Sequence, residues 1–127
     1  MPTNAEIAPG SRILILEDLP DRREIFLSKL KDCNLVVVVS SVVDAIAALS
    51  SFTFDCIFLD HDLDGRNGVP VDDPNCGTRV AEFIVAKGID TMVIIQSLNP
   101  HGAQSIKKLL PHAILFPGVW NHLDLCE

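Results

Sequence analysis

Three short stretches concentrate the residues able to do chemistry in this chain of 127 residues: Glu17-Asp18, Asp60-His61-Asp62, and Ser97-Leu98-Asn99-Pro100-His101-Gly102. Carboxylates are hard oxygen donors, and imidazoles titrate near neutral pH. Together they offer ligands for a hard cation and groups able to give and take a proton. Each stretch also closes an apolar run. Glu17-Asp18 follow Ile13-Leu-Ile-Leu16, Asp60 follows Ile57-Phe-Leu59, and Ser97 ends the run that opens at Met92.

That placement is what a strand buried on both faces produces, its polar residues surfacing only where it ends. The remaining pattern alternates such runs with helical ones. Strands are expected over 12–18, 35–39, 55–60, 92–97 and 113–116. Helices are expected from about 20 to 32, 44 to 49, 78 to 87 and 103 to 110. Strand alternating with helix implies βαβ units joined by right-handed crossovers, hence a doubly wound parallel α/β sheet of five strands. In such sheets ligands sit beyond the carboxyl ends of the strands, where the strand order reverses. With the order 2-1-3-4-5, the three polar stretches converge on one rim. Residues 1–11, with Pro2, Pro9 and Gly10, read as an irregular arm, and residues 12–127 as one domain.

Composition removes several classes of function. Hydrophobic residues are 48% and charged residues 21%, ordinary for a folded soluble domain. The formal charge of −7 repels a phosphate backbone, which disfavours tight binding to duplex nucleic acid. No apolar run approaches the roughly 18 residues of a membrane helix. The first ten residues lack the basic and apolar segments of a signal peptide, so the expected compartment is the cytoplasm. Cys33, Cys56, Cys76 and Cys126 form no C-x-x-C pair and read as reduced thiols, Cys56 as a small core residue.

The acidic pair Glu17-Asp18, the lone Asp60 and the hydroxyl of Ser97 resemble a response-regulator receiver domain over about residues 12–118. The resemblance implies that Asp18 and Asp60 are direct ligands of Mg²⁺ or Mn²⁺. It implies that Glu17 acts directly or through water, that the backbone carbonyl of Asp62 is another ligand, and that Ser97 contacts a phosphate. Receivers place a lysine before a proline at the end of the last strand. Here that dipeptide is Phe116-Pro117, and no lysine follows Lys108, so a phosphorylated Asp60 would lack its fixed cation.

The sequences Asp60-His-Asp-Leu63, Gly77-Thr78, Ser97-x-Asn-Pro-His-Gly102 and the late Trp120 are together similar to the receiver-like family predicted to process cyclic phosphates. The resemblance implies a metal-dependent phosphoesterase acting on a cyclic nucleotide or a 2′,3′-cyclic end. The other reading is a non-catalytic degenerate receiver that binds a ligand or protein. Phosphodiester hydrolysis needs phosphorus polarised, water activated and an alkoxide released. A carboxylate-held cation and histidines can supply these, with His101 as preferred acid or base and His61 as its partner or a further ligand. Asn99, Gly102 and Arg66 are candidates for substrate contact.

Plainer roles compete for the same residues. His61 can make a structural hydrogen bond, Asn99-Pro100 can simply start a helix, and Ser97 can cap it. The 64–77 connection is unusually long and suits a binding loop, in which Asp72 and Asp73 could join the metal site. The partners expected are a small phosphorylated substrate, with a homodimer left open, and neither duplex nucleic acid nor a membrane.

Overall fold

A computed structural model describes residues 6–7, 10–30, 33, 35–116 and 124–125. Its elements in chain order are β1 (Glu6–Ile7), β2 (Arg12–Leu16), α1 (Pro20–Lys29), β3 (Leu35–Val39), α2 (Val42–Ser51), β4 (Cys56–Leu59), α3 (Gly77–Ala86), β5 (Met92–Ile95), α4 (Pro100–Leu109), β6 (Ile114–Leu115) and β7 (Asp124–Leu125). Five strands form one parallel sheet in the order β3-β2-β4-β5-β6, which is 2-1-3-4-5 counted from β2. Within the stretch expected to be an irregular arm, β1 pairs in parallel with β7 as a separate two-stranded ribbon.

Strand periodicity divides the core. On one face Leu14, Leu16, Ile57 and Leu59 pack with Ala45 and Ala48 of α2, Val80 and Ile84 of α3, and Ile106 of α4. On the other, Ile13, Ile15, Phe58 and Ile94 pack with Phe26 and Leu30 of α1 and its end. The apolar runs have no polar alternation because helices cover both sides. Cys56 is buried in this second layer, where loss of water pushes its thiol up to about 12, so it stays protonated.

Local chemistry sets where helices begin. Ser41 caps α2, its Oγ accepting from the Asp44 amide, so the helix opens at Val42 and not at Asp44. Asn99 caps α4 and Pro100 occupies its first turn, so this helix opens three residues before the apolar pattern suggests. No helix among the described residues is long and apolar enough to cross a membrane.

Phe58 meets Phe26 edge to face at 5.2 Å between ring centroids, fastening α1 to the sheet beside the strand that carries Asp60. Phe58→Ala is expected to cost about 3–5 kcal/mol, read as a lowered urea midpoint with little change in slope.

Candidate functional site

Parallel pairing in register sets Leu16 opposite Leu59, so the residues that follow β2 and β4 emerge side by side. One oxygen from each of Glu17, Asp18 and Asp60 lies within 4.8 Å of the others. Glu17 is fully buried, Asp60 is 4% exposed, and Asp18 is half-buried. Glu17 is fixed by the Leu19 amide at 3.2 Å and by Gln96 Nε2 at 3.5 Å, with the Arg22 guanidinium 3.9 Å away. Asp18 accepts from the Gly65 amide, a contact that ties the acidic pair to the long loop.

Crowding and burial act on these acids in one direction. Loss of water raises Glu17 above the usual carboxylate range. Asp60 is pushed up to about 8, first by burial and then by the charges of Glu17 and Asp18, with Arg22 opposing. A divalent cation would relieve both effects, and an all-oxygen donor set suits Mg²⁺ or Mn²⁺. Gln96 Oε1 is buried with no hydrogen-bond partner among the described residues, so a polar acceptor beside Glu17 is left for a water to satisfy. The residues therefore fit the metal that the sequence implies. Asp18, Arg22, Asp60, Asp62, Arg66 and Asn67 line a cavity of about 50 Å³ at this point.

His61 is not in this cavity. It is fully buried, its Nε2 2.9 Å from the Val69 carbonyl and its Nδ1 2.9 Å from Thr78 Oγ1. A carbonyl can only accept, so Nε2 carries the proton and, in the neutral ring, Nδ1 accepts from the Thr78 hydroxyl. Both nitrogens are committed, which corrects the expectation that His61 is an acid, a base or a metal ligand. Gly102 lies against this ring, and a β-carbon there would overlap it; it is a packing residue and not a substrate contact. Gly77 similarly lies against the Asp60 carbonyl, and its amide donates to the His61 carbonyl at 3.0 Å.

Asp62 and Asn99 complete this polar knot. The Asp62 carboxylate accepts from the amides of Gly68 and Val69 and from Asn99 Nδ2, so its side chain is engaged in the loop; the residue borders the cavity, and the atom expected there as a ligand is its backbone carbonyl. Asn99 Oδ1 accepts from the amides of His101 and Gly102 while its Nδ2 also donates to Val69, leaving it no group for substrate. Ser97 is buried and its Oγ accepts from the Asn99 amide. Arg66 donates to the Leu63 and Asn75 carbonyls and to both oxygens of Asp73, and this pairing holds Asp73 below the usual carboxylate range. Asp73 is thereby drawn away from the metal cluster, and Asp72 is exposed in the same loop.

His101 is exposed on the first turn of α4. It lines a different cleft, of about 500 Å³, with Val69, Val71, Gln104, Ser105 and Lys108, in which no carboxylate of the cluster takes part. Two residues escaped the sequence reading. Nothing in the sequence around Arg22 or Gln96 marks either of them before its neighbours are known. Trp120, Pro117 and Cys126 lie outside the described residues.

An acidic triad at the carboxyl rim of a 2-1-3-4-5 parallel sheet defines a receiver-type domain. A family model for the cyclic-phosphate processing receiver domain matches residues 13–112, and the chain belongs to that family. Among solved structures it is similar to the response regulator TrrA from Thermotoga maritima in complex with Mg²⁺-BeF, at 20% identity over 83% of this chain and 85% of that one, TM-score 0.63. It is also similar to the Mn²⁺-bound form of response regulator Rcp1 at 19% identity over 87% of each chain, TM-score 0.62. The response regulatory domain of mrkE from Klebsiella pneumoniae aligns at 17% identity over 87% of this chain and 86% of that one, TM-score 0.64. At these identities what is shared is the fold. No curated protein matches the chain.

Two measurements test this geometry. Between the ordinary aspartate value of 3.8 and about 8, the folded protein keeps a proton on Asp60 that the unfolded chain releases. Stability of the metal-free protein should therefore fall as pH rises through that window. In EDTA, Asp60→Asn should be more stable than the unmutated protein at pH 8 and should show a flatter dependence of Tm on pH. Thr78→Val strands a buried nitrogen of His61 and should cost about 1–3 kcal/mol in denaturant unfolding, with Mn²⁺ affinity retained.

Proposed function

We propose that the domain is a metal-dependent phosphoesterase that opens a small cyclic phosphate at the Glu17, Asp18 and Asp60 site. The convergence of those three carboxylates within 4.8 Å carries this reading. Membership of a family named for cyclic-phosphate processing supports it. So does the likeness to response regulators described with Mg²⁺ or Mn²⁺.

Glu17, Asp18 and Asp60 would hold the cation. A divalent ion supplies Lewis acidity at phosphorus and a more acidic water. The protein's own contribution is position. Gln96 and the Leu19 amide aim Glu17, the Gly65 amide aims Asp18, and the Gly77 contact behind Asp60 sets where its strand ends. His101, on an exposed turn at the same end of the sheet and with no ring hydrogen bond among the described residues, is assigned the proton transfer, taking a proton from the attacking water or giving one to the ring oxygen as its bond to phosphorus breaks.

A second reading has its own support. Among the described residues no imidazole lines the carboxylate cavity, which favours a domain that binds a phosphorylated ligand without turning it over. The two separate experimentally. Millimolar Mn²⁺ should raise Tm, a hundredfold excess over Kd adding about 2.7 kcal/mol, and Asp60→Asn should reduce the gain. A panel of 2′,3′- and 3′,5′-cyclic nucleotides with Mg²⁺ or Mn²⁺ should then yield the opened monoester, and His101→Ala should lose about 10²–10⁴ in rate while keeping the metal shift. Metal binding with no turnover of any member selects the binding module.

A further inference from the structure

We infer that Arg22, on the first turn of α1, is the fixed cation that holds a phosphate in the carboxylate cavity. The inference rests on the metal-site reading given above. The cavity wall carries Asp18, Asp60 and Asp62 from the acidic stretches and two guanidiniums, those of Arg22 and Arg66. Arg66 cannot serve. Three of its nitrogens are spent on Asp73 and on the Leu63 and Asn75 carbonyls, so its charge is matched within its own loop. Arg22 is drawn instead to the site itself, 3.9 Å from Glu17 Oε1, with its side chain 22% exposed.

Its position at the cavity wall, beside Glu17, matters once the acids are neutralised. Without a cation, Glu17 and Asp60 attract Arg22. With a divalent ion on those carboxylates, the guanidinium and the ion become two positive groups beside one small space, an arrangement that recognises an anion with several oxygens. A planar guanidinium presents paired donors to such a group. At about 50 Å³ the space falls far short of the roughly 300–1,000 Å³ of a pocket that encloses a whole small molecule. The ligand class is therefore a phosphoryl group presented by a larger body that stays outside. Leu19 and Leu98 stand exposed at the cavity edge where an apolar part of that body would rest.

A role in anion binding and a role in propping Glu17 predict opposite behaviour. Removing a neighbouring positive charge should leave Mn²⁺ affinity unchanged or tighter while phosphate binding weakens. Mn²⁺ binding would be followed by electron paramagnetic resonance of the free ion, and inorganic phosphate binding by ³¹P relaxation from the protein-bound Mn²⁺. Arg22→Ala should retain Mn²⁺ and lose about ten- to a hundredfold in phosphate affinity, with Arg22→Lys in between because it keeps charge without the fork. Unchanged phosphate affinity in Arg22→Ala, no phosphate binding by the Mn²⁺-loaded unmutated protein, or joint loss of Mn²⁺ and phosphate in Arg22→Ala would each overturn the inference and leave the metal site standing. Failure of the unmutated protein to bind Mn²⁺ removes both.

Discussion

The structure is organised around a conflict: carboxylates from two strand ends are buried next to each other. Glu17 and Asp60 have almost no contact with water, and Asp18 adds a third charge within 4.8 Å. Burial and like charge both disfavour ionisation, and a fold gains nothing from either unless something offsets them. The surrounding hydrogen bonds do so only in part. The Leu19 amide, Gln96 and Arg22 bear on Glu17, and the Gly65 amide on Asp18, while Asp60 remains raised to about 8. The unresolved part of that conflict is the chemical capacity of the site.

A second group of polar residues exists to keep the first in place. His61, Asp62 and Asn99 converge on the backbone of residues 68 and 69, with Thr78 holding the other nitrogen of His61, and this draws the long loop against the end of β4 and the start of α4. Gly77 and Gly102 are small because the Asp60 carbonyl and the His61 ring occupy the space a side chain would need. Motifs that look like a list of reactive groups thus divide into two tasks. The acids place charge, and the histidine, amide and glycines build a rigid wall behind it.

This division explains what could be read from the sequence. The five strands, their order and the three converging acids were legible because strands buried on both faces leave polar residues only at their ends, and a doubly wound sheet brings those ends together. The role of His61 was not, since its partners Val69 and Thr78 lie 8 and 17 residues away and only the path of the loop brings them to its ring. The plainer alternative for Asn99-Pro100, a helix start, is the one the structure contains, whereas the cap expected of Ser97 is made by Asn99, and the Ser97 hydroxyl accepts from the Asn99 amide instead. Arg22 was hidden for a different reason. A charged residue on the first turns of a helix ordinarily faces solvent, and nothing in its sequence neighbourhood shows that this one borders the acids. Phe116, where the receiver resemblance calls for lysine, packs against the apolar layer that holds Ile94 and Phe58, so that position contributes to the core and not to the rim.

Charge then fixes the order of events whichever activity the site has. The chain carries −7 overall, and four acidic side chains meet at or beside the cavity against the guanidiniums of Arg66, paired with Asp73, and of Arg22, 3.9 Å from Glu17. Ionised carboxylates at that wall repel an anion, and a cation held there would remove the repulsion. On the proposed reading, cation first and phosphate second would therefore follow from charge alone. It holds equally for an enzyme that opens a cyclic phosphate and for a module that only grips one. What separates those two is whether a proton can be moved at the ligand once it is held, and that depends on the reach of His101 from α4, on the other side of the wall that His61 and Asn99 build.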